Sequence, residues 1–366
     1  MISSVGIVLH DFSLGGTERI AARLGRAWAS IGVAVTFYCG VDDGPMRKLI
    51  GPQARVVPLD PPIPRGKGSM QRLAAAAEKA IARERVDAVF VPGNYHWPVA
   101  HRLSRLPIDQ RPVIAAQISA ALRKQQRGPV KEFFYDLRMR RLLRDADGLV
   151  ALSDVAADQA RAIVGEGPVV RTIATPALDD DVAPPIDAGG MMIVAAGRLV
   201  PEKGFGTLIE AFSLLPDPTL QLTIVGAGPD EERLRGLARS LGIADRVDLP
   251  GYQPDIRPWL DRGRLFVLSS DYEGYPAVLI EALAAGRPVI ATDCTPATDA
   301  LLGSRTFGEV VPVGDAAEMA GAMYEMLASP PPVPQPLAEA VTPHRLGEVA
   351  LAYLDFFEAL RLQRRG

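Results

Sequence analysis

Four residues in the second half of this 366-residue chain are of types, and in settings, that suit the binding of phosphate. Arg198 and Lys203 stand in GRLVPEKGF, residues 197–205, after an apolar run and before a helical one. Glu273 and Glu281 bracket EGYPAVLIE, residues 273–281. Two fixed cations beside a helix N-terminus make a diphosphate site, because arginine binds phosphate oxygens bidentately and lysine acts as a point charge. The free N–H groups and the positive dipole end of a helix opening after Glu273 favour an anion in the same place. A charge-assisted bond of this kind is worth about 1.5–3 kcal/mol. Losing one therefore costs roughly tenfold to over a hundredfold in binding or rate. Without context, the same cations read as solvated charges near a turn. Gly204 and Gly206, and the strand–loop–helix setting, weigh against that.

The elements that must position these groups follow from hydrophobic patterning. Residues 265–268 read as a buried strand that ends in Ser269 and Ser270. Gly274 gives a tight turn, and Pro276 suits the first helical position because its missing N–H has no partner there. The helix runs over 277–285, Gly286 suits its C′ position, and 289–291 is the next strand. Upstream, strand patterns at 191–196, 220–225 and 246–249 alternate with helical ones at 204–215, 230–241 and 255–261. The first half alternates likewise, with strands at 5–9, 34–38, 55–59, 88–91, 112–116 and 148–152. Such alternation calls for parallel sheets covered on both faces, with ligands at the carboxyl ends of the strands. The expected fold class is α/β, two doubly wound Rossmann-like domains facing a central cleft. The expected boundaries are 1–180 for the first domain and 190–329 for the second. Residues 178–190 form a polar, Pro- and Gly-rich linker. The run PPPVPQP at 330–336 reads as an extended, non-helical connector. It leads to a C-terminal helix over 345–364 that crosses back to the first domain.

Composition narrows the function. The net charge of −3 gives no electrostatic case for nucleic acid as a partner. No apolar run approaches the roughly 20 residues needed to span a bilayer, and MISSVGIVLHDF lacks the basic start of a secretory signal. A cytoplasmic protein is expected, one that can also sit peripherally at the inner face of a membrane. Cys39 and Cys294 are far apart, so they read as reduced thiols. The four histidines, His10, His96, His101 and His344, have no metal-ligand spacing, and no metal site is expected.

Other stretches carry weaker signals. In LTIVGAGPDEERL, residues 222–234, Glu231 stands where a dinucleotide fingerprint needs its third glycine, which argues against a nicotinamide or flavin site. HDFSLGGTERI follows the first strand, and Gly15 and Gly16 leave room for a ligand beside the backbone. His10 and His96 both follow strands and can reach a cleft. Asp145-Ala146-Asp147 has the DxD form that binds a divalent ion in some nucleotide-sugar enzymes, but its setting reads as a simple connection. The stretch from Arg123 to Arg144, RKQQRGPVKEFFYDLRMRRLLR, is basic and aromatic, as suits an anionic membrane surface or an anionic acceptor; a solvated face is the plain alternative.

Taken together, GGTER at 15–19, GRLVPEKG at 197–204, IVGAGP at 224–229 and EGYPAVLIE at 273–281 resemble the family 4 glycosyltransferases, retaining enzymes of the two-domain GT-B fold. The last segment is similar to that family's E-x7-E signature, and the resemblance covers nearly the whole chain. It implies transfer of a sugar from a UDP- or GDP-linked donor to the hydroxyl of a glycan, lipid-linked or small-molecule acceptor, with no further cofactor and no metal. By the same resemblance Arg198 and Lys203 hold the donor diphosphate, Glu281 binds the ribose hydroxyls and Glu273 lies over the transferred sugar. The backbone from Gly274 through Tyr275, Pro276 and Ala277 to Val278 touches phosphate. Val225, Gly226, Gly251 and Tyr252 line the base, and Gly15 and Gly16 admit the donor from the first domain. Glu273, Arg198 and Lys203 are thus the implied catalytic set. The chain departs from the pattern at Gln117, where relatives carry an acceptor-side histidine, leaving His10, His96 and Gln117 as acceptor-side candidates. It also carries IATP at 173–176 in place of an asparagine, and CTPATDA after Asp293 lacks paired glycines. A sugar-nucleotide epimerase of the same fold and a non-catalytic nucleotide-sugar-binding protein are the competing readings.

Overall fold

Short apolar strands separated by amphipathic helices bury themselves most simply as parallel sheets with helices on both faces. The structure, a computed structural model that describes residues 1–119, 122, 128–187, 190–303 and 307–364, builds two such sheets. The first unit comprises Met1–Pro176 with Leu346–Gly366, and the second is Ala177–Arg345.

In chain order the first unit contains β1 (Ser4–Leu9), α1 (Gly16–Ser30), β2 (Ala34–Cys39), β3 (Arg55–Pro58), α2 (Ser69–Glu84), β4 (Ala88–Val91), α3 (Trp97–Leu103), β5 (Val113–Ile118), α4 (Pro129–Leu143), β6 (Gly148–Ala151), α5 (Asp154–Val164) and β7 (Val169–Thr172). Its parallel sheet has the order β3-β2-β1-β4-β5-β6-β7. Strand period decides which layer each side chain joins. In β1, Val5, Ile7 and Leu9 pack in one apolar layer and Val8 in the opposite one.

The second unit contains β8 (Met192–Ala196), α6 (Phe205–Ser213), β9 (Gln221–Val225), α7 (Glu231–Ser240), β10 (Val247–Asp248), α8 (Arg257–Arg262), β11 (Gly263–Leu268), α9 (Ala277–Ala284), β12 (Val289–Thr292), α10 (Pro296–Leu302), β13 (Gly308–Val311), α11 (Ala316–Ala328) and α12 (Pro334–Ala340). Its sheet order is β10-β9-β8-β11-β12-β13. Ile193 and Ala195 of β8 face one layer, and Val194 and Ala196 face the other.

The last helix, α13 (Leu346–Gln363), belongs to the first unit. There the indole N–H of Trp28 donates to the Ala350 carbonyl at 2.9 Å, and Trp28 meets Phe90 and Phe357 edge to face. Burying aromatic groups of this size contributes about 1.5–3 kcal/mol each. At the far end, Arg364 binds the Asp147 carboxylate and the carbonyls of Arg111 and Pro112. Asp147 also accepts from the Ile114 N–H at 2.7 Å, so it is a structural cross-link, while Asp145 pairs with Arg144 at 3.6 Å.

Two local expectations are corrected. The Pro-rich run is not extended throughout, because Pro334 and Pro336 open α12. Both lie in the first turn, where a missing N–H breaks no intrahelical bond. The strand expected over 246–249 shrinks to Val247–Asp248, since Arg246 turns back to bond the carbonyls of Asp217 and Leu220. The stretch 178–187 carries no helix or strand, yet it is pinned. Arg257 reaches the carbonyls of Ala183 and Pro184, and the fully buried Arg287 reaches those of Ile186 and Gly263.

Candidate functional site

In the second sheet the strand order reverses between β8 and β11, so the loops leaving these neighbours diverge and open a crevice at their carboxyl ends. Lys203 sits in the loop after β8 and Glu273 in the loop after β11. Lys203 Nζ is paired with Glu273 Oε1, and both side chains are mostly covered, at 19% and 13% exposed. The Ser270 hydroxyl donates to the same carboxylate oxygen at 2.9 Å. The two loops are also sewn together through the backbone. Ser269 Oγ donates to the Lys203 carbonyl at 2.9 Å, and the Asp271 N–H donates to the Glu202 carbonyl at 2.9 Å.

Gly204 makes this approach possible. Its φ is +62°, and a Cβ there would lie 1.9 Å from the Ser269 carbonyl oxygen, a position that only glycine fills. Gly226 is equally constrained. It donates to the Gly251 carbonyl at 3.0 Å, and a Cβ would fall 1.8 Å from the Gly197 carbonyl oxygen. Gly197 in turn donates to the Val225 carbonyl at 3.0 Å, so the ends of β8, β9 and β10 form one continuous rim. Tyr252 projects from that rim, half exposed.

Arg198 stands apart from the Lys203–Glu273 pair. It is largely exposed and pairs with Glu202 at 3.1 Å. Gly274 and Tyr275 lead into α9, which starts at Ala277 as expected, with Pro276 as its N-cap rather than its first helical residue. No side chain caps this N-terminus. Tyr275 is pressed against His344 with ring centroids 6.0 Å apart, and burial raises its phenol above the ordinary range. Val278 and Glu281 are partly buried on α9.

In the first unit the order reverses between β1 and β4. There a cluster forms that the sequence indicates only in part. Arg65 grips Asp11 through two nitrogens at 2.6 and 3.0 Å, reaches Glu18 at 2.6 Å and lies over the Tyr95 ring. Burial alone would raise the Asp11 carboxyl, but Arg65 and Ser13 outweigh it and hold the group at about 2. Asp11 and Glu18 lie within a stretch singled out by its glycines; nothing local marks Arg65. A Cβ on Gly15 would meet Glu18 Oε2 at 2.2 Å, whereas Gly16 faces open space.

The acceptor-side candidates part company here. His96 is buried and fully engaged, its Nδ1 bonded to the Pro92 carbonyl at 2.8 Å and its Nε2 accepting from the His10 N–H at 3.2 Å. Burial drives its pKa down to about 4, so the ring is neutral at pH 7. Gln117 lies inside β5 rather than after it, and its amide nitrogen donates to the Tyr353 hydroxyl at 2.9 Å. Neither nitrogen of the buried His10 ring makes a well-formed hydrogen bond to the described residues, although the Pro64 carbonyl lies within its reach. Burial lowers its pKa, partly countered by the Pro64 carbonyl. Cys39 and Cys294 are buried free thiols. Residues 123–127 of the basic stretch fall outside the described residues. Among the described residues no helix is long and apolar enough to cross a membrane.

Comparison with known proteins identifies the family of both units. Residues 179–342 match the family Glycosyl transferases group 1, and residues 15–176 match the Glycosyl transferase 4-like domain. The lipopolysaccharide core biosynthesis glycosyltransferase LpsE of Rhizobium meliloti is 36% identical over 141 residues, 38% of this chain and 41% of that protein. The chain thus spans less than half the length of this curated relative. Among solved structures, Anabaena Alr3699/HepE in complex with UDP and glucose superposes with a TM-score of 0.73 at 16% identity, covering 98% of this chain and 100% of that one. The sucrose-phosphate synthase of Thermosynechococcus elongatus gives 0.74 at 21% identity, covering 99% and 97%. With its two parallel-sheet units each matched in order, the chain belongs to the family 4 glycosyltransferases of GT-B fold.

Proposed function

We propose that this protein is a retaining, metal-independent glycosyltransferase that moves a sugar from a UDP- or GDP-linked donor to an acceptor hydroxyl. The observation that carries this reading is the Lys203–Glu273 pair, held by Ser270 at the reversal point of the second sheet. A glycosyl transition state separates charge, positive on the sugar ring and negative on the departing diphosphate. A cation and a carboxylate placed side by side suit that separation, with Lys203 toward the phosphate and Glu273 toward the sugar. Arg198, whose pairing with Glu202 is exposed and exchangeable, swings to the diphosphate when donor binds. The start of α9, from Gly274 to Val278, supplies backbone N–H groups to the phosphates, and Glu281 takes the ribose hydroxyls. Val225, Gly226, Gly251 and Tyr252 border the base. The diphosphate leaving group accepts the proton of the incoming hydroxyl, so no protein nucleophile is required. The Anabaena HepE structures contain UDP and UDP-glucose, which favours UDP as the carrier.

On the acceptor side His10 is the candidate whose ring nitrogens are least committed, whereas both nitrogens of His96 and the amide nitrogen of Gln117 are bonded within the fold. LpsE is named for lipopolysaccharide core biosynthesis and WcaL of Escherichia coli, a putative enzyme, for colanic acid. The acceptor proposed here is accordingly a lipid-linked or envelope saccharide, met at the cytoplasmic face of a membrane. The test is nucleotide release from a panel of UDP- and GDP-sugars, with and without candidate saccharide acceptors. Acceptor-dependent release with an α-configured product from an α-linked donor supports the proposal. Release or sugar conversion without acceptor identifies an epimerase instead, and donor binding without turnover a non-catalytic binder.

A further inference from the structure

Helix α4 has two apolar sides, and only one is used by the fold. Met139 and Leu143 are buried in the apolar layer against the first sheet, with Tyr135 and Leu142 packed beside them. At 3.6 residues per turn the opposite side brings Val130, Phe133, Phe134 and Leu137 into one stripe. Each of the four is more than half exposed, from 55% to 68%, and the two phenylalanine rings stack edge to face at 5.7 Å. An apolar stripe this exposed, on a helix already anchored by its other side, marks an interaction surface.

The charges on this helix are sorted in the same way. Lys131, Arg138 and Arg141 are exposed and border or continue the stripe, and Arg140 is exposed beside it, tied to the Ile163 carbonyl. The helix carries two acids, Glu132 and Asp136, and both fall on the partly covered side that faces the protein. The outward surface of α4 therefore offers aromatic and aliphatic groups ringed by cations, with no carboxylate among them. The chain as a whole is slightly acidic, so this sorting does not reflect composition.

We propose that the outer face of α4 docks on an anionic lipid surface, with Phe133, Phe134, Val130 and Leu137 entering the headgroup–acyl boundary and Lys131, Arg138 and Arg141 binding lipid phosphates. Neither signal alone holds a protein at a bilayer, whereas an apolar insertion plus a cationic patch does. Each cation at such a surface contributes about fivefold in partitioning. A protein partner that buried the same stripe would have to supply acids to meet the cations; an anionic bilayer supplies them at every lateral position. The inference locates the membrane contact suggested for the acceptor reaction, but it rests on α4 alone and stands or falls separately from the donor site.

The test is co-sedimentation of the full chain with vesicles of phosphatidylcholine alone and of phosphatidylcholine mixed with phosphatidylglycerol, at low and at physiological ionic strength. Binding is expected only to the anionic vesicles and should weaken with salt. The Phe133→Ser/Phe134→Ser variant and the Arg138→Gln/Arg141→Gln variant should each reduce it by roughly tenfold or more. Both variants are expected to keep the wild-type melting temperature and nucleotide-diphosphate affinity, because their side chains lie outside the core and the donor site. No binding to anionic vesicles at low salt overturns the proposal. So does binding that the phenylalanine variant leaves intact, since insertion would then play no part. Concentration-dependent self-association abolished by the same variant, without vesicle binding, would assign the stripe to a second copy of the chain instead.

Discussion

Lys203 and Glu273 are 70 residues apart in the chain and share one ion pair at the carboxyl ends of two neighbouring strands, with Ser270 bonded to the same carboxylate oxygen. A phosphate that approaches Lys203 meets a cation already engaged by a carboxylate. Under the proposed function the resting pair would be both a preorganised site and a competitor of the donor.

That competition can be measured. Glu273→Gln frees Lys203 and removes a negative charge beside the phosphate position. Nucleoside diphosphate should bind on the order of tenfold more tightly, one charge interaction of about 1.4 kcal/mol, while sugar transfer collapses. Lys203→Ala should instead weaken the diphosphate by more than about tenfold. Isothermal titration with UDP and GDP decides the matter. An unchanged affinity in the Gln variant would mean that the pair does not compete.

Ser270→Ala tests the positioning of Glu273. The hydroxyl bond aims the carboxylate without touching phosphate, so its loss should lower kcat by roughly tenfold with little change in donor KM. Ser270→Thr keeps the hydroxyl and should recover part of the rate. A purely structural serine would change the melting temperature and leave this split absent.

Gly204→Ala should disturb the same place through the backbone. A left-handed φ costs a non-glycine residue about 1–2 kcal/mol, and the added Cβ would overlap the Ser269 carbonyl oxygen. The loop must shift, dragging Lys203 with it. Urea denaturation should show a loss of at least about 2 kcal/mol, and diphosphate affinity should fall in parallel.

His96 predicts an acid limit. Its pKa is depressed from 6.5 to about 4 by burial, so the unfolded chain takes up a proton at a higher pH than the folded one does. Its contribution is fully present above pH 6.5 and is lost as pH falls toward 4. The span corresponds to on the order of 3 kcal/mol. Denaturation at pH 7, 6 and 5 should show stability falling with pH. His96→Asn, which keeps a donor for the Pro92 carbonyl, should be less stable at pH 7 but have a flatter slope. An equal slope in both proteins would place the titration elsewhere.

Much of the architecture is legible in the chain because it depends on local chemistry. Alternating strand and helix patterns, with apolar runs too short to be anything but strands, require parallel sheets covered on two faces. The glycines and prolines punctuate them close to where the elements end. The misreadings have local causes as well. A proline cluster reads as non-helical, yet two of its members sit in the one turn of α12 where proline breaks nothing. Gln117 reads as a loop residue because strand edges are the least certain boundary, and it proves to be a buried partner of Tyr353.

By itself the sequence determined the two-sheet class, the glycine-rich loops and the residue types able to meet a diphosphate, since these follow from periodicity and from side-chain chemistry. Only the tertiary structure decided who meets whom. It brought Lys203 to Glu273 rather than Arg198, joined Arg65 to Asp11 and Glu18, and spent both nitrogens of His96 on the backbone. It also turned four apolar residues of α4 outward. Such pairings depend on strand order and on a fraction of an ångström of backbone approach, and neither is encoded in any one segment of the chain.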